Sequence, residues 1–239
     1  MVSILEYHRP DSIAAALELL EMDGAAALGG GTVLSHQKGP RTVVDLQALG
    51  LDQITATDTH VSVGAMVRLQ DLIESPETPV LVAQAAGREG PNTLRNAATI
   101  GGVVACRDWQ SELLAALLVH DAMVTLQRAG GGEEVALEDA LSNPDAGTLI
   151  TKVRIATGGD GAAARTGRTP ADESIVAAVA RRDASKTTRL AMSGVAAVPV
   201  LIDYGRIDEL DPPGDFRGSS NYRRELARVL GQRVLDEIG

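Results

Sequence analysis

Apolar residues along this chain follow a helical period in some segments and form short strand-like runs in others. The segment 13–20 places apolar side chains at i, i+3, i+4 and i+7 after a capping Asp11 or Ser12, which predicts an amphipathic helix that Gly24 ends. Similar periodicity predicts further helices at 67–74, 80–88, 112–120 and 221–238. Apolar runs or strict alternation predict strands at 25–28, 42–46, 60–65, 122–127, 149–156, 175–180, 188–195 and 198–202.

The segment 157–172 interrupts this pattern. It is rich in Gly, Thr and Ala and contains Pro170, so we expect a loop or a domain boundary there. The order of helices and strands on either side predicts an α+β protein with two lobes joined near residue 160. In the C-terminal helix, one apolar face is expected to consist of Tyr222, Leu226, Val229, Leu230 and Val234.

Composition narrows the classes of function. The 239 residues carry a net charge of −10, which argues against a nucleic-acid partner because the basic footprint for a phosphate backbone is absent. The single cysteine, Cys106, excludes an intrachain disulfide and a cysteine-ligated cluster within this chain, and we expect a buried or partly buried thiol. With neither signal-peptide features nor a membrane-length apolar segment, the sequence predicts a cytoplasmic protein.

Two glycine clusters are the candidate ligand-binding turns. They read Gly29-Gly30-Gly31-Thr32 and Thr99-Ile100-Gly101-Gly102, and each precedes a segment with helical character. Glycine permits positive φ and leaves backbone N–H groups open to a ligand, and N–H groups at a helix start bind phosphate. Two such turns indicate one nucleotide cofactor with its diphosphate between them. The spacings of a P-loop and of a Rossmann fingerprint are both absent.

The sequence around these clusters matches a family pattern. The most specific segment, 94–102, reads L-R-N-A-A-T-I-G-G and is similar to the pattern I-R-N-x-x-T-I-G-G. Further similar segments occur in order at 7–13, 28–32, 63–65, 112–122, 149–155, 168–172, 189–195 and 219–224. Over nearly its whole length the chain therefore resembles the medium, FAD-binding subunits of molybdenum hydroxylases, such as those of carbon monoxide dehydrogenase and xanthine dehydrogenase.

The resemblance implies a fold and a role. It implies a p-cresol methylhydroxylase-type FAD-binding domain over 1–157, with two α/β subdomains divided near residue 50, followed by a small C-terminal sheet-plus-helix domain over 168–239. A large subunit would oxidise substrate at a molybdopterin cofactor, and [2Fe-2S] clusters of a small subunit would pass the electrons to FAD in this chain. The external acceptor would be a quinone, NAD⁺ or oxygen. The assembly would be a dimer of heterotrimers, with peripheral membrane association through the acceptor left open.

The resemblance also implies the cofactor site. The backbone of both clusters would wrap the FAD diphosphate, with hydroxyl donors from Thr32 and Thr99. Glu112 would face the ribityl or flavin region, and Arg165 or Arg168 would lie near the isoalloxazine. The expected cofactor-binding residues are Leu28, Gly29, Gly30, Gly31, Thr32, Val33, Thr99, Ile100, Gly101, Gly102, Glu112 and Arg165. We expect no general acid, general base or metal ligand in this chain.

Several positions depart from the family pattern or leave alternatives open. Val33 and Val103 stand where polar side chains are common in the family. Hydrogen bonds to the diphosphate would then come from backbone N–H groups. These two positions motivate one alternative, a flavin-free structural subunit of the same complex. A stand-alone flavin oxidoreductase is kept as a second alternative. The single tryptophan, Trp109, fits a flavin cover, a subunit interface or simple packing. Arg223 and Arg224 are expected at the surface or at an interface.

Overall fold

A computed structural model describes residues 2–143, 147–169 and 172–239. Its strands are β1 (Val2–His8), β2 (Ala25–Leu28), β3 (Gly39–Asp45), β4 (Ile54–Ala56), β5 (His60–Gly64), β6 (Met123–Arg128), β7 (Gly131–Ala136), β8 (Leu149–Ala156), β9 (Asp160–Thr166), β10 (Val176–Arg182), β11 (Thr188–Ser193) and β12 (Val200–Leu201). Its helices are α1 (Ile13–Leu20), α2 (Leu69–Glu74), α3 (Val80–Ala86), α4 (Asn92–Arg95), α5 (Ile100–Cys106), α6 (Glu112–Val119), α7 (Leu137–Ser142) and α8 (Ser220–Ile238). Pro170 and Ala171, which belong to the similar segment 168–172, lie outside the described residues.

The N-terminal sheet is parallel, with the strand order β1-β3-β2. Helix α1 covers it through Ala16 and Leu17, and the Ser12 hydroxyl caps this helix by accepting from the Ala15 N–H at 3.3 Å. Of the two predicted caps, Ser12 is therefore the one that the structure uses. Because β2 ends at Leu28, the first glycine cluster leaves the carboxyl edge of a parallel sheet, where ligands of open α/β sheets bind.

The second sheet is antiparallel, with the order β4-β5-β8-β6-β7. Its apolar side chains share a core with α6, in which every residue of Glu112–Val119 is buried. Helix α6 contacts α3 as well as β10 and β11 of the next sheet. A helix that is apolar all round fits this position between two layers.

The third sheet is antiparallel, with the order β12-β11-β10-β9. Val179 belongs to the core that contains α6, whereas Val176, Ala178 and Ala180 pack in the cluster formed with α8. Both faces of β10 are thus covered, which explains why its sequence is a continuous apolar run. The described residues therefore form a mixed α and β structure with three sheets, and the predicted α+β class is confirmed.

The predicted loop over 157–172 is wrong for the seven residues of β9. This strand pairs antiparallel with β10 from Thr166 opposite Val176 to Asp160 opposite Arg182. Its inward side chains are alanines, which give little hydrophobic signal but fit beneath α8. The exact division of the chain into two domains stays a prediction.

The apolar face predicted for α8 is displaced from the buried one. Tyr222 is 45% exposed and Val229 is 55% exposed, whereas the buried residues of the helix are Arg223, Ala227, Leu230, Gly231 and Val234. Close packing explains the difference, because a Cβ at Gly231 would lie 2.7 Å from the Met192 Cε. Cys106, predicted to be buried or partly buried, is exposed at the end of α5.

The predicted surface position of Arg223 is also wrong, because its side chain is fully buried. Its guanidinium donates to the backbone oxygens of Ile175 and Gly194, and Nη2 lies 2.7 Å from Asp215 Oδ1. The guanidinium carbon sits 4.6 Å from the centroid of the Trp109 ring, a cation–π contact. This contact gives Trp109 a packing role within the chain. Burial acts to raise the pKa of Asp215, but hydrogen bonds from Arg223 and two backbone amides outweigh it and lower the pKa.

Candidate cofactor site

A cavity of about 560 Å³ lies between the two glycine clusters. This volume is within the range of small-molecule sites, roughly 300–1,000 Å³. Its lining residues all lie in the loops, turns and helices that connect strands of the first two sheets: Gly29, Gly30, Gln47, Leu51, Asp52, Met66, Arg68, Asp71, Asn96, Ala97 and Thr99. The fold thus brings Gly29, Gly30 and Thr99 together, as the sequence predicts.

The two clusters approach each other so closely that glycine is required. A Cβ at Gly30 would lie 1.8 Å from the Ala97 backbone oxygen, and a Cβ at Gly29 would lie 3.0 Å from the Thr99 Oγ1. Gly31 has φ of +72°, a conformation that other residues seldom adopt. Gly29 and Gly30 therefore let two backbones meet beside the cavity.

The first cluster supplies free hydrogen-bond donors. In the part of the chain that the structure describes, the N–H groups of Gly29, Gly30, Gly31, Thr32 and Val33 donate to no protein acceptor. The Ser35 N–H donates to the Gly31 oxygen at 3.1 Å, so the chain turns helically just after the glycines. Five consecutive free amides at such a turn are suited to an anion. Leu28, the residue before them, accepts from the Leu46 N–H at 3.1 Å and anchors the turn to β3.

Three backbone amides of the second cluster already donate hydrogen bonds to acceptors of the protein. The N–H of Ile100 donates to the Val67 oxygen at 3.0 Å, and the N–H of Gly101 donates to the Ala65 oxygen at 2.9 Å. The N–H of Gly102 donates to the Thr99 Oγ1 at 3.1 Å, which caps α5. These three amides are occupied, so the free backbone donors described above come from the first cluster. The Thr99 hydroxyl still has a hydrogen to donate, because it accepts in this bond.

Glu112 and Arg165 form an ion pair away from the lining of this cavity. Glu112 Oε1 lies 2.7 Å from Arg165 Nε, and its Oε2 lies 3.1 Å from Arg88 Nη1. Arg168, the alternative to Arg165, lies 3.6 Å from Asp172 and is mainly exposed. The predicted contacts of Glu112 and Arg165 with a flavin stay predictions.

A second carboxylate, Glu89, holds the start of α6. Its Oε1 accepts from the Ser111 hydroxyl at 2.8 Å and from the Leu113 N–H at 2.9 Å. Burial raises the pKa of Glu89 to about 7, despite these two hydrogen bonds, which act to lower it. Both hydrogen bonds come from the start of α6, so we assign Glu89 to stabilising that helix start and give it no part in a reaction.

Sequence reasoning missed five polar residues of the cavity lining: Gln47, Asp52, Arg68, Asp71 and Asn96. No short sequence motif predicts these residues, because they lie far apart along the chain. The Gln47 side chain accepts from Arg9, which also pairs at 3.0 Å with the buried Asp45. Arg68 lies just before α2, opposite Thr99 in an antiparallel bridge that only the folded chain shows.

The described residues show neither a metal centre nor a membrane helix. Within residues 2–143, 147–169 and 172–239, no three His, Cys, Asp or Glu side chains gather as a metal site requires. None of the helices in these ranges combines the length and apolarity needed to cross a bilayer.

Comparisons with known proteins show which family this chain resembles in sequence and in fold. Residues 3–157 match the family described as the FAD binding domain in molybdopterin dehydrogenase. The uncharacterised protein YgfM of Escherichia coli K12 is 30% identical, covering 95% of this chain and 93% of YgfM. The glyceraldehyde dehydrogenase medium chain of Sulfolobus acidocaldarius is 26% identical, covering 97% of both chains. A solved structure of carbon monoxide dehydrogenase from Hydrogenophaga pseudoflava shares the fold, with a TM-score of 0.91 at 22% identity, over 100% of this chain and 98% of that chain.

Proposed function

Because this chain belongs to the family of FAD binding domains in molybdopterin dehydrogenases, we propose that it holds FAD at the cavity between its glycine clusters and passes electrons through it. It is an FAD-binding medium subunit of an oxidoreductase. The observation that carries the proposed site is the run of five free amides from Gly29 to Val33 beside the cavity.

These residues fit a dinucleotide. A diphosphate is anionic and accepts hydrogen bonds, and the free amides are pre-oriented donors at a turn. Thr99 adds a hydroxyl from the facing cluster. When bound, FAD supplies an acceptor of one or two electrons. The part of this chain is to fix the cofactor's position and to bond its diphosphate, and no described side chain is assigned a proton-transfer step.

The complex is proposed from what the related proteins are. A medium chain of glyceraldehyde dehydrogenase implies other chains, and the related carbon monoxide dehydrogenase was solved in a form that lacks the Mo-pyranopterin moiety of its molybdenum cofactor. We place the molybdopterin cofactor on a large subunit and [2Fe-2S] clusters on a small subunit, with electrons passing from the clusters to FAD. The acceptor would be a quinone, NAD⁺ or oxygen, and the assembly a cytoplasmic dimer of heterotrimers.

Flavin stoichiometry of the native complex tests this proposal. The complex is purified through this chain and denatured in acid, and the released flavin is quantified by fluorescence and identified as FAD by chromatography. We expect one FAD per copy of this chain and two further co-purifying subunits. A complex with both subunits but no flavin would favour the structural-subunit alternative. A flavin-containing monomer with full turnover would favour the stand-alone enzyme.

A further inference from the structure

Arg68 lines the cavity, and its guanidinium has no bonding partner among the described residues. Its side chain makes no hydrogen bond or ion pair within residues 2–143, 147–169 and 172–239. Neighbouring arginines differ: Arg95 donates to Gln70 and to two backbone oxygens, and Arg88 pairs with Glu112. Arg68 is therefore a cation held at the cavity without a structural partner.

The backbone of Arg68 is fixed although its side chain is exposed. Arg68 pairs with Thr99 in an antiparallel bridge. On either side of it, the Ile100 N–H donates to the Val67 oxygen at 3.0 Å and the Leu69 N–H donates to the Ala98 oxygen at 2.9 Å. The next residue, Leu69, is fully buried. The fold thus sets the starting point of this side chain directly opposite the second glycine cluster.

The other charged side chains that line the cavity are carboxylates, which would repel an anionic ligand. Among the described lining residues, Asp52 and Asp71 carry negative charge and Arg68 carries the positive charge. Asp52 accepts from the neighbouring Gln53 side chain, and Asp71 lies in the first turn of α2. Without Arg68, an entering diphosphate would meet two carboxylates and no cation. Val33, which is 47% exposed, offers no hydrogen-bonding group beyond its amide.

We propose that Arg68 binds the diphosphate of FAD and determines affinity at this site. The proposal rests on the proposed function, since it assumes that FAD occupies this cavity. The guanidinium and the amides of Gly29–Val33 would then contact the same anion from two elements. An arginine suits this task because its planar fork can bond two phosphate oxygens at once.

Titration of the flavin-free full chain with FAD tests the role of Arg68, with flavin fluorescence as the readout. For Arg68→Gln we expect about tenfold weaker binding, the size of one partly exposed charged hydrogen bond. Arg68→Lys should recover part of the affinity, because the charge remains and the fork is lost. The wild-type affinity should also fall more steeply with added salt than that of Arg68→Gln.

The matched control is Arg233→Gln, which removes an exposed arginine of α8 outside the cavity lining. This control should bind FAD like the wild type. Equal affinity and equal salt dependence for Arg68→Gln and the control would overturn the role of Arg68. If the wild-type chain itself binds no FAD, the proposed function fails, so the two failures are distinguishable.

Discussion

Replacement of Gly30 by alanine should separate the two glycine clusters. The new Cβ would lie 1.8 Å from the Ala97 backbone oxygen and 2.5 Å from its carbon, and neither atom can rotate away. To lengthen the first contact from 1.8 to 3.0 Å, the limit for real Cβ contacts, the turns must move apart by about 1.2 Å. Overpacking of this kind costs about 1–3 kcal/mol, and it displaces the amides that we assign to the diphosphate.

We therefore expect Gly30→Ala to weaken FAD binding by about tenfold or more, and to lower the unfolding temperature by several degrees. Isothermal titration and thermal melting measure the two effects. Gly205→Ala is the control, since its φ is ordinary and the nearest atom to its Cβ, the Asp203 Oδ1, is 3.6 Å away. Wild-type affinity and melting in Gly30→Ala would refute the close approach of the clusters.

Three further substitutions test buried charged or titratable side chains outside the cavity lining. Arg223→Gln should lower the unfolding free energy by about 2 kcal/mol or more in chemical denaturation, since it leaves Asp215 without its buried cation; unchanged stability would contradict the buried pair. Burial lowers the pKa of His120 to about 4, so only the unfolded chain gains a proton as the pH falls below about 6.5. Between about pH 7 and 5 the wild type should thus lose about 2 kcal/mol more stability than His120→Asn, and parallel pH profiles would refute this burial. Glu112→Gln should lower the melting temperature by several degrees, because Arg165 loses a carboxylate at 2.7 Å, and wild-type melting would argue against this pair.

Much of the fold follows from local pattern. The predicted helix over 13–20 and strands over 25–28 and 149–156 match α1, β2 and β8. Strand β1 was missed because it is an edge strand whose apolar Ile4 and Leu5 face solvent, so its sequence lacks alternation. Strand β9 was missed because its alanines gain their burial from α8, which is distant in sequence.

The candidate site was predicted only in part. Glycines that permit close backbone approach are visible in a sequence, and Gly29 and Thr99 indeed meet at the cavity. Hydrogen bonds that occupy the amides of Ile100 and Gly101 depend on a bridge to residues some 35 positions away, which no local motif reveals. Arg68 becomes recognisable as a cavity residue for the same reason, since the fold alone brings it to the glycine clusters.

Amide chemical shifts during FAD titration show whether the cofactor's diphosphate binds at the first glycine cluster. On the isotopically labelled full chain, we expect the largest perturbations at the amides of Gly29–Val33, which have no acceptor among the described residues. The amides of Ile100 and Gly101 should change less and stay protected from hydrogen exchange, because backbone oxygens already accept from them. Perturbations centred instead on Glu112 and Arg165, with Gly29–Val33 unchanged, would show that the diphosphate does not bind at the first cluster.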